Sequence, residues 1–107
     1  MDNILLALEE ILEKRKSASA EDSYVASLYN KGTDQILKKI GEESAEVIMA
    51  AKSDGNDKII YEVADLWFHV LILLRYKNIR VDDIEAELVR RFGISGLEEK
   101  RNRSNKP

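Results

Sequence analysis

From Lys58 to Tyr76 the chain has the makings of a helix with almost no polar side. One broad face would hold Ile59, Ile60, Val63, Leu66, Trp67, Val70, Leu71, Leu73 and Leu74, and the opposite side adds Tyr61, Phe68 and Ile72. Polar groups are confined to a sector with Glu62, Asp65, His69 and Tyr76. A helix that is apolar nearly all round must be covered nearly all round. A chain of 107 residues forms one domain with a modest core. It has few helices of its own to do the covering. The expectation is a homo-oligomer, most simply a homodimer, with Trp67 in the core. The strongly apolar stretch from Val63 to Leu74 contains Asp65 and His69, and it is too short and too polar to span a bilayer.

The rest of the chain supplies helices for this one to pack against. Ile4, Leu5, Leu8, Ile11 and Leu12 recur at helical spacing from Asn3 to Arg15, with Asp2 or Asn3 available as a cap. Lys16 to Ala20 reads as a linker, and Glu21 to Asn30 as a short second helix ended by Gly32. Thr33 or Asp34 would cap a third helix, from about Asp34 to Lys52. Residues 53–57 form a turn, with Asn56 or Asp57 capping the long apolar helix and Asn78 closing it. Asp82 would open a fifth helix, with Glu85 at capping-box spacing and Gly93 as its stop. Residues 94–107 read as a short turn and a frayed tail. No strand pattern or internal repeat interrupts this. The fold class is all-α: a bundle of four to five helices in one domain, 1–107, with the third and fourth as an antiparallel central pair.

Composition narrows the chemistry. One proline and five glycines favour helix throughout. With no cysteine there is no disulfide, thiolate zinc site or cysteine nucleophile. A net charge of −3 does not favour nucleic-acid binding, and the basic residues Lys100, Arg101, Arg103 and Lys106 read as a solvated tail. The N-terminus shows no basic region followed by a long apolar run, so no signal peptide is expected. Neither a Walker loop nor a Gly-x-Gly-x-x-Gly fingerprint is present.

Two acid pairs break the apolar pattern. Ile36, Ile40, Val47 and Ala51 define a stripe on the third helix, and Glu43 falls inside it. Glu46 lies at its edge and Glu42 further round, so burial should decrease in the order Glu43, Glu46, Glu42. Glu62 and Asp65 repeat the i, i+3 spacing on the fourth helix, which puts each pair on one helix face. A lone carboxylate in an apolar stripe is costly, and four converged carboxylates repel one another unless a cation lies among them. The plain alternative is a set of surface acids, with Lys39 pairing to Glu43 at i+4. Hard oxygen ligands suit Mg²⁺, with Mn²⁺ as a substitute, whereas four acids and a single histidine do not suit zinc. A di-iron bundle would need Glu-x-x-His on two helices, and no second histidine exists. His69 reads as a supporting or core histidine. An acid-held metal cluster is suited to bridging phosphate oxygens and activating water. Lys31, Lys38 and Lys39 lie near enough in sequence to help hold phosphates.

Glu42-Glu43-x-x-Glu46 followed by Glu62-x-x-Asp65 resembles the signature of the all-alpha nucleoside-triphosphate pyrophosphohydrolases. The flanking text is closer still to one family. Ser23-Tyr24-Val25, the run from Lys38 to Val47, Glu62-Val63-Ala64-Asp65-Leu66, the run from Glu87 to Gly93 and that from Ser95 to Lys100 resemble the phosphoribosyl-ATP pyrophosphohydrolases. The resemblance spans nearly the whole chain. It implies a cytoplasmic, Mg²⁺-dependent, dimeric enzyme of histidine biosynthesis that hydrolyses phosphoribosyl-ATP to phosphoribosyl-AMP and pyrophosphate. It also implies Glu43, Glu46, Glu62 and Asp65 as the metal ligands and catalytic acids. Glu42 matches the first acid of the motif, as a ligand, a base or an outer group. The cyclohydrolase domain fused to some relatives has no counterpart in this sequence. Two alternatives remain: a house-cleaning enzyme acting on dUTP or dCTP, and a non-catalytic helical dimerisation module, which would leave the acids inside apolar faces unexplained.

Overall fold

The computed structural model describes residues 3–53 and 55–93. Five α-helices follow in order: α1 Ile4–Lys14, α2 Tyr24–Lys31, α3 Thr33–Ser53, α4 Asn56–Tyr76 and α5 Val81–Phe92. A 3₁₀ turn at Arg15–Ser17 occupies part of the expected linker. Among the described residues there is no strand. The expected turn after residue 93 and the basic tail lie outside the described residues.

Capping chemistry explains the boundaries, including those that differ from expectation. Asn3 caps α1, its side chain accepting from the Leu5 N–H at 3.0 Å. The second helix starts at Tyr24, not Glu21, because the Ser23 hydroxyl accepts from the Ala26 N–H at 3.1 Å. Gly32, at φ 91°, both ends α2 and starts α3, its carbonyl accepting from the Ile36 N–H at 3.2 Å. Thr33 and Asp34 are therefore already helical rather than caps. Gly55 takes the cap position of α4 that was expected at Asn56 or Asp57. Asn78 closes α4 region as anticipated, in the left-handed conformation at φ 61° that asparagine tolerates better than most residues. The fifth helix opens at Val81, earlier than Asp82. Glu85 does not make the expected box; instead the Arg80 backbone N–H donates to the Asp83 carboxylate at 2.9 Å.

The short link between α3 and α4 forces them back to back as an antiparallel hairpin, and this is the most extensive helix contact in the fold. Helices α1, α2 and α5 cover only one end of it. There Leu12, Val25, Leu28, Ile36, Leu71, Ile72 and Val81 form the buried core, with Ile40, Phe68 and Tyr76 packed against it. Fully buried aliphatic side chains such as Ile36 and Ile72 each contribute about 1.5–3 kcal/mol. The other end of the hairpin is bare: Ile48, Met49, Ile60 and Tyr61 are all exposed.

Buried polar contacts stitch α1 to the far end of the hairpin. Glu9 is buried, and its carboxylate accepts from the Val81 N–H at 2.8 Å and from Arg80 at 2.9 Å. It thereby satisfies an otherwise orphaned N–H at the start of α5. Arg75, also buried, donates to Glu13 at 2.7 Å and to the Ile79 carbonyl at 3.0 Å. The Tyr29 hydroxyl donates to the Leu12 carbonyl at 3.0 Å, and burial pushes its pKa up to about 12.

Helix α4 buries polar as well as apolar side chains. Its polar sector faces inward: Glu62 and His69 are buried and Asp65 is half-buried. Leu71 and Ile72 enter the core beside it, while other apolar groups of the helix face outward. Trp67 is 56% exposed, which corrects its expected place in the core. Together with Leu66, Val70, Leu74, Ile84 and Leu88 it lines an open apolar groove of about 660 Å³ between α4 and α5.

Candidate active site

The inward sector of α4 meets α3 at Glu43. Glu43 is carried on the same face as Ile36 and Ile40, whose packing against the core sets the rotation of α3. Helical spacing then leaves its carboxylate inside the interface, 8% exposed. Asp65 and His69, one turn apart on α4, come to the same place. A carboxylate oxygen from each acid and a ring nitrogen of His69 all lie within 4.8 Å of one another.

This crowding has an electrostatic signature. Burial raises the Glu43 pKa, and the adjoining Asp65 carboxylate raises it further. Lys39 and His69 pull the other way without cancelling the rise. The Lys39 ammonium stands 3.6 Å from Glu43 and 3.3 Å from Glu42. It thus makes the i+4 pair of the plain alternative while Glu43 still converges on Asp65.

His69 is held on both sides. Its Nδ1 lies 2.8 Å from the Asp65 carbonyl oxygen and 3.4 Å from the Asp65 carboxylate. Its Nε2 lies 2.7 Å from the Tyr24 hydroxyl. Two acceptors facing Nδ1 assign the proton to that nitrogen, so Nε2 accepts from the phenol. Tyr24 stands edge-on to the imidazole, with ring centroids 5.7 Å apart. Burial, opposed by Lys39 and assisted by the site's acids, raises the Tyr24 pKa and keeps the hydroxyl a donor.

The remaining expected residues divide. Glu62 is buried one turn before Asp65, on the same helix. Glu46 lies one turn after Glu43 but is exposed, where partial burial was expected. The antiparallel register that sets residue 43 against residue 65 also sets 46 at the level of 62, one turn nearer the hairpin link. Neither Glu46 nor Glu62 joins the three-residue cluster, so the carboxylates converge as one tight pair with two flanking acids. Glu42 is exposed and bound to Lys39. Lys31 and Lys38 are exposed, and of the expected lysines Lys39 alone contacts the site acids among the described residues.

Sequence reasoning gave Tyr24 no role in this site. It is 45 positions from His69, on another helix, and no periodicity links the two. The signal available was the Ser23-Tyr24-Val25 segment of the family resemblance, and Ser23 caps α2 so that Tyr24 is its first residue.

Two hard carboxylates crowded beside an imidazole, with a charge that burial disfavours, are a donor set that a divalent cation would stabilise. The residues present therefore fit such an ion.

Comparison with known proteins identifies the family. A family model described as phosphoribosyl-ATP pyrophosphohydrolase matches residues 5–92. A protein of Vesicomyosocius okutanii named phosphoribosyl-ATP pyrophosphatase is 71% identical over 105 residues, covering 98% of this chain and 100% of that protein. Proteins of the same name from Hydrogenovibrio crunogenus and Methylococcus capsulatus are 58% and 55% identical, across 95% and 96% of their own lengths. With the acids, their flanking segments and the match across most of its length in agreement, the chain belongs to the phosphoribosyl-ATP pyrophosphohydrolase family.

Proposed function

We propose that this protein is an enzyme that hydrolyses phosphoribosyl-ATP to phosphoribosyl-AMP and pyrophosphate in histidine biosynthesis. The observation that carries the reading is the convergence of Glu43 and Asp65 beside His69, inside a fold whose named relatives are phosphoribosyl-ATP pyrophosphatases.

Glu43 and Asp65 would hold Mg²⁺, with Glu62 and Glu46 as the further ligands one turn away. Mn²⁺ would serve as a substitute. Once bound, the cation would neutralise charge on the phosphate oxygens and polarise the attacking water. The chain's own groups have separate tasks. Lys39, beside the acids, offers a positive charge to the phosphates, and exposed Lys31 and Lys38 extend that charge outward. Glu42 keeps Lys39 anchored at the mouth of the site. His69 fixes the Asp65 side by its Nδ1 contacts.

The working form is a homodimer. Support comes from Trp67, Ile60 and Tyr61, each more than half exposed, and from the apolar groove between α4 and α5. No helix among the described residues is long and apolar enough to cross a membrane, and a cytoplasmic setting fits a biosynthetic enzyme.

Product analysis after incubation with phosphoribosyl-ATP and Mg²⁺ tests the assignment, with dUTP and dCTP alongside. The expected products are phosphoribosyl-AMP and pyrophosphate. A clear preference for a free nucleotide would reject the substrate. Absence of hydrolysis together with indifference to Mg²⁺ would leave a helical dimerisation module.

A further inference from the structure

We propose that Tyr24, acting through His69, is a positioning residue that sets the Asp65 carboxylate for a divalent cation. The inference rests on the metal-site reading above and adds to it a residue from a third helix.

Hydrogen bonds lead inward from the start of α2 to Asp65. Ser23 caps α2 and so fixes where Tyr24 leaves the backbone. The phenol is 50% exposed, yet its hydroxyl reaches in to Nε2 of a buried imidazole at 2.7 Å. Donation to Nε2 stabilises the form of His69 with its proton on Nδ1. That proton points at the Asp65 carbonyl oxygen, 2.8 Å away, with the Asp65 carboxylate at 3.4 Å. The opposite tautomer would turn a lone pair towards two oxygen acceptors and push the carboxylate away. The Tyr24 hydroxyl therefore biases the imidazole towards the form that attracts Asp65 to the point where it meets Glu43. With Nε2 occupied by the phenol and Nδ1 by Asp65, the ring supports the acids instead of replacing one as a ligand. Groups that hold metal-binding carboxylates in this way typically change metal affinity or activity by about 10–100-fold when lost.

The chain has a single histidine, so its imidazole nitrogen signals are unambiguous in NMR. Wild type, Tyr24→Phe, His69→Gln and Asp65→Asn are titrated with Mg²⁺ by calorimetry, and wild type and Tyr24→Phe are compared by imidazole ¹⁵N shifts. Tyr24→Phe keeps the ring at a half-exposed position and should retain the fold. Its Nε2 signal should move, and its Mg²⁺ affinity should fall about 10-fold. His69→Gln should weaken Mg²⁺ binding at least as much. If Asp65→Asn weakens Mg²⁺ binding while folded Tyr24→Phe binds it as wild type does, the positioning role is overturned and the metal site stands. If Asp65→Asn binds Mg²⁺ like wild type, the metal-site reading fails and this inference with it.

Discussion

Glu43 and Asp65 belong to antiparallel helices, yet bring carboxylate oxygens within 4.8 Å of each other, with Glu43 buried and Asp65 half-buried. Such a pair is a liability to the fold by itself, because burial and the neighbouring Asp65 both disfavour the charged form of Glu43. Its usefulness lies in what it can bind.

Replacing Glu43 with glutamine should relieve that repulsion. In chelator, Glu43→Gln is expected to be as stable as wild type or more so, by thermal melting. Mg²⁺ should raise the wild-type melting temperature through binding to the native state, and should do so much less in the variant. Hydrolysis should fall by more than roughly 100-fold, beyond what losing a group that merely supports a ligand costs. A variant that melts with a full Mg²⁺ response and still turns over substrate would remove Glu43 from the site.

The same carboxylate predicts how stability depends on pH. The Glu43 pKa is raised above 4.5 by burial and then by Asp65. Below the unfolded value both states are protonated there, and the native protein suffers no penalty. As pH rises through the raised folded value, the unfolded chain holds its charge more easily, so the contribution is lost and stability falls. In chelator, wild type should lose more stability than Glu43→Gln across that window. Mg²⁺ should oppose this loss, since it needs the ionised carboxylate. Glu87, whose pKa Arg90 and Arg91 lower, lies on the surface in both proteins and drops out of the comparison. Parallel pH profiles of melting temperature for the two proteins would contradict the prediction.

Trp67 should report the assembly. It projects from α4 into the apolar groove, so Trp67→Glu would place a charge on the proposed interface without opening a core cavity. Sedimentation should shift from a two-chain to a one-chain mass, with helical content retained in circular dichroism. An unchanged mass would move the interface elsewhere.

Glu9 should matter for stability more than its distance from the site suggests. Glu9→Ala leaves the buried Val81 N–H without its 2.8 Å acceptor. The expected loss is about 1–3 kcal/mol in urea unfolding. A loss near zero would mean that water replaces the carboxylate.

Gly41 lies within α3, and a Cβ built on it meets nothing within 4 Å. The isolated chain therefore has no steric need for glycine there. Gly41→Ala should stabilise the helix by roughly 1 kcal/mol, read as a higher urea midpoint. A lower midpoint would mean that another chain approaches that backbone in solution.

What this sequence settled alone was periodic and local. Apolar spacing marked all five helices, and the i, i+3 acids inside apolar runs pointed to Glu43 and Asp65, because each helix face is written in 3.6-residue steps. Boundaries slipped by a few residues where several capping groups competed, as at Ser23 and Arg80. Tertiary structure alone decided the relative rotation of α3 and α4, and the fact that α1, α2 and α5 pack on only one end of the hairpin. Those two choices put Glu46 in solvent, turned Trp67 outward and brought Tyr24 onto His69. No period in the chain encodes them, because they follow from how whole faces of different helices compete for the same partner.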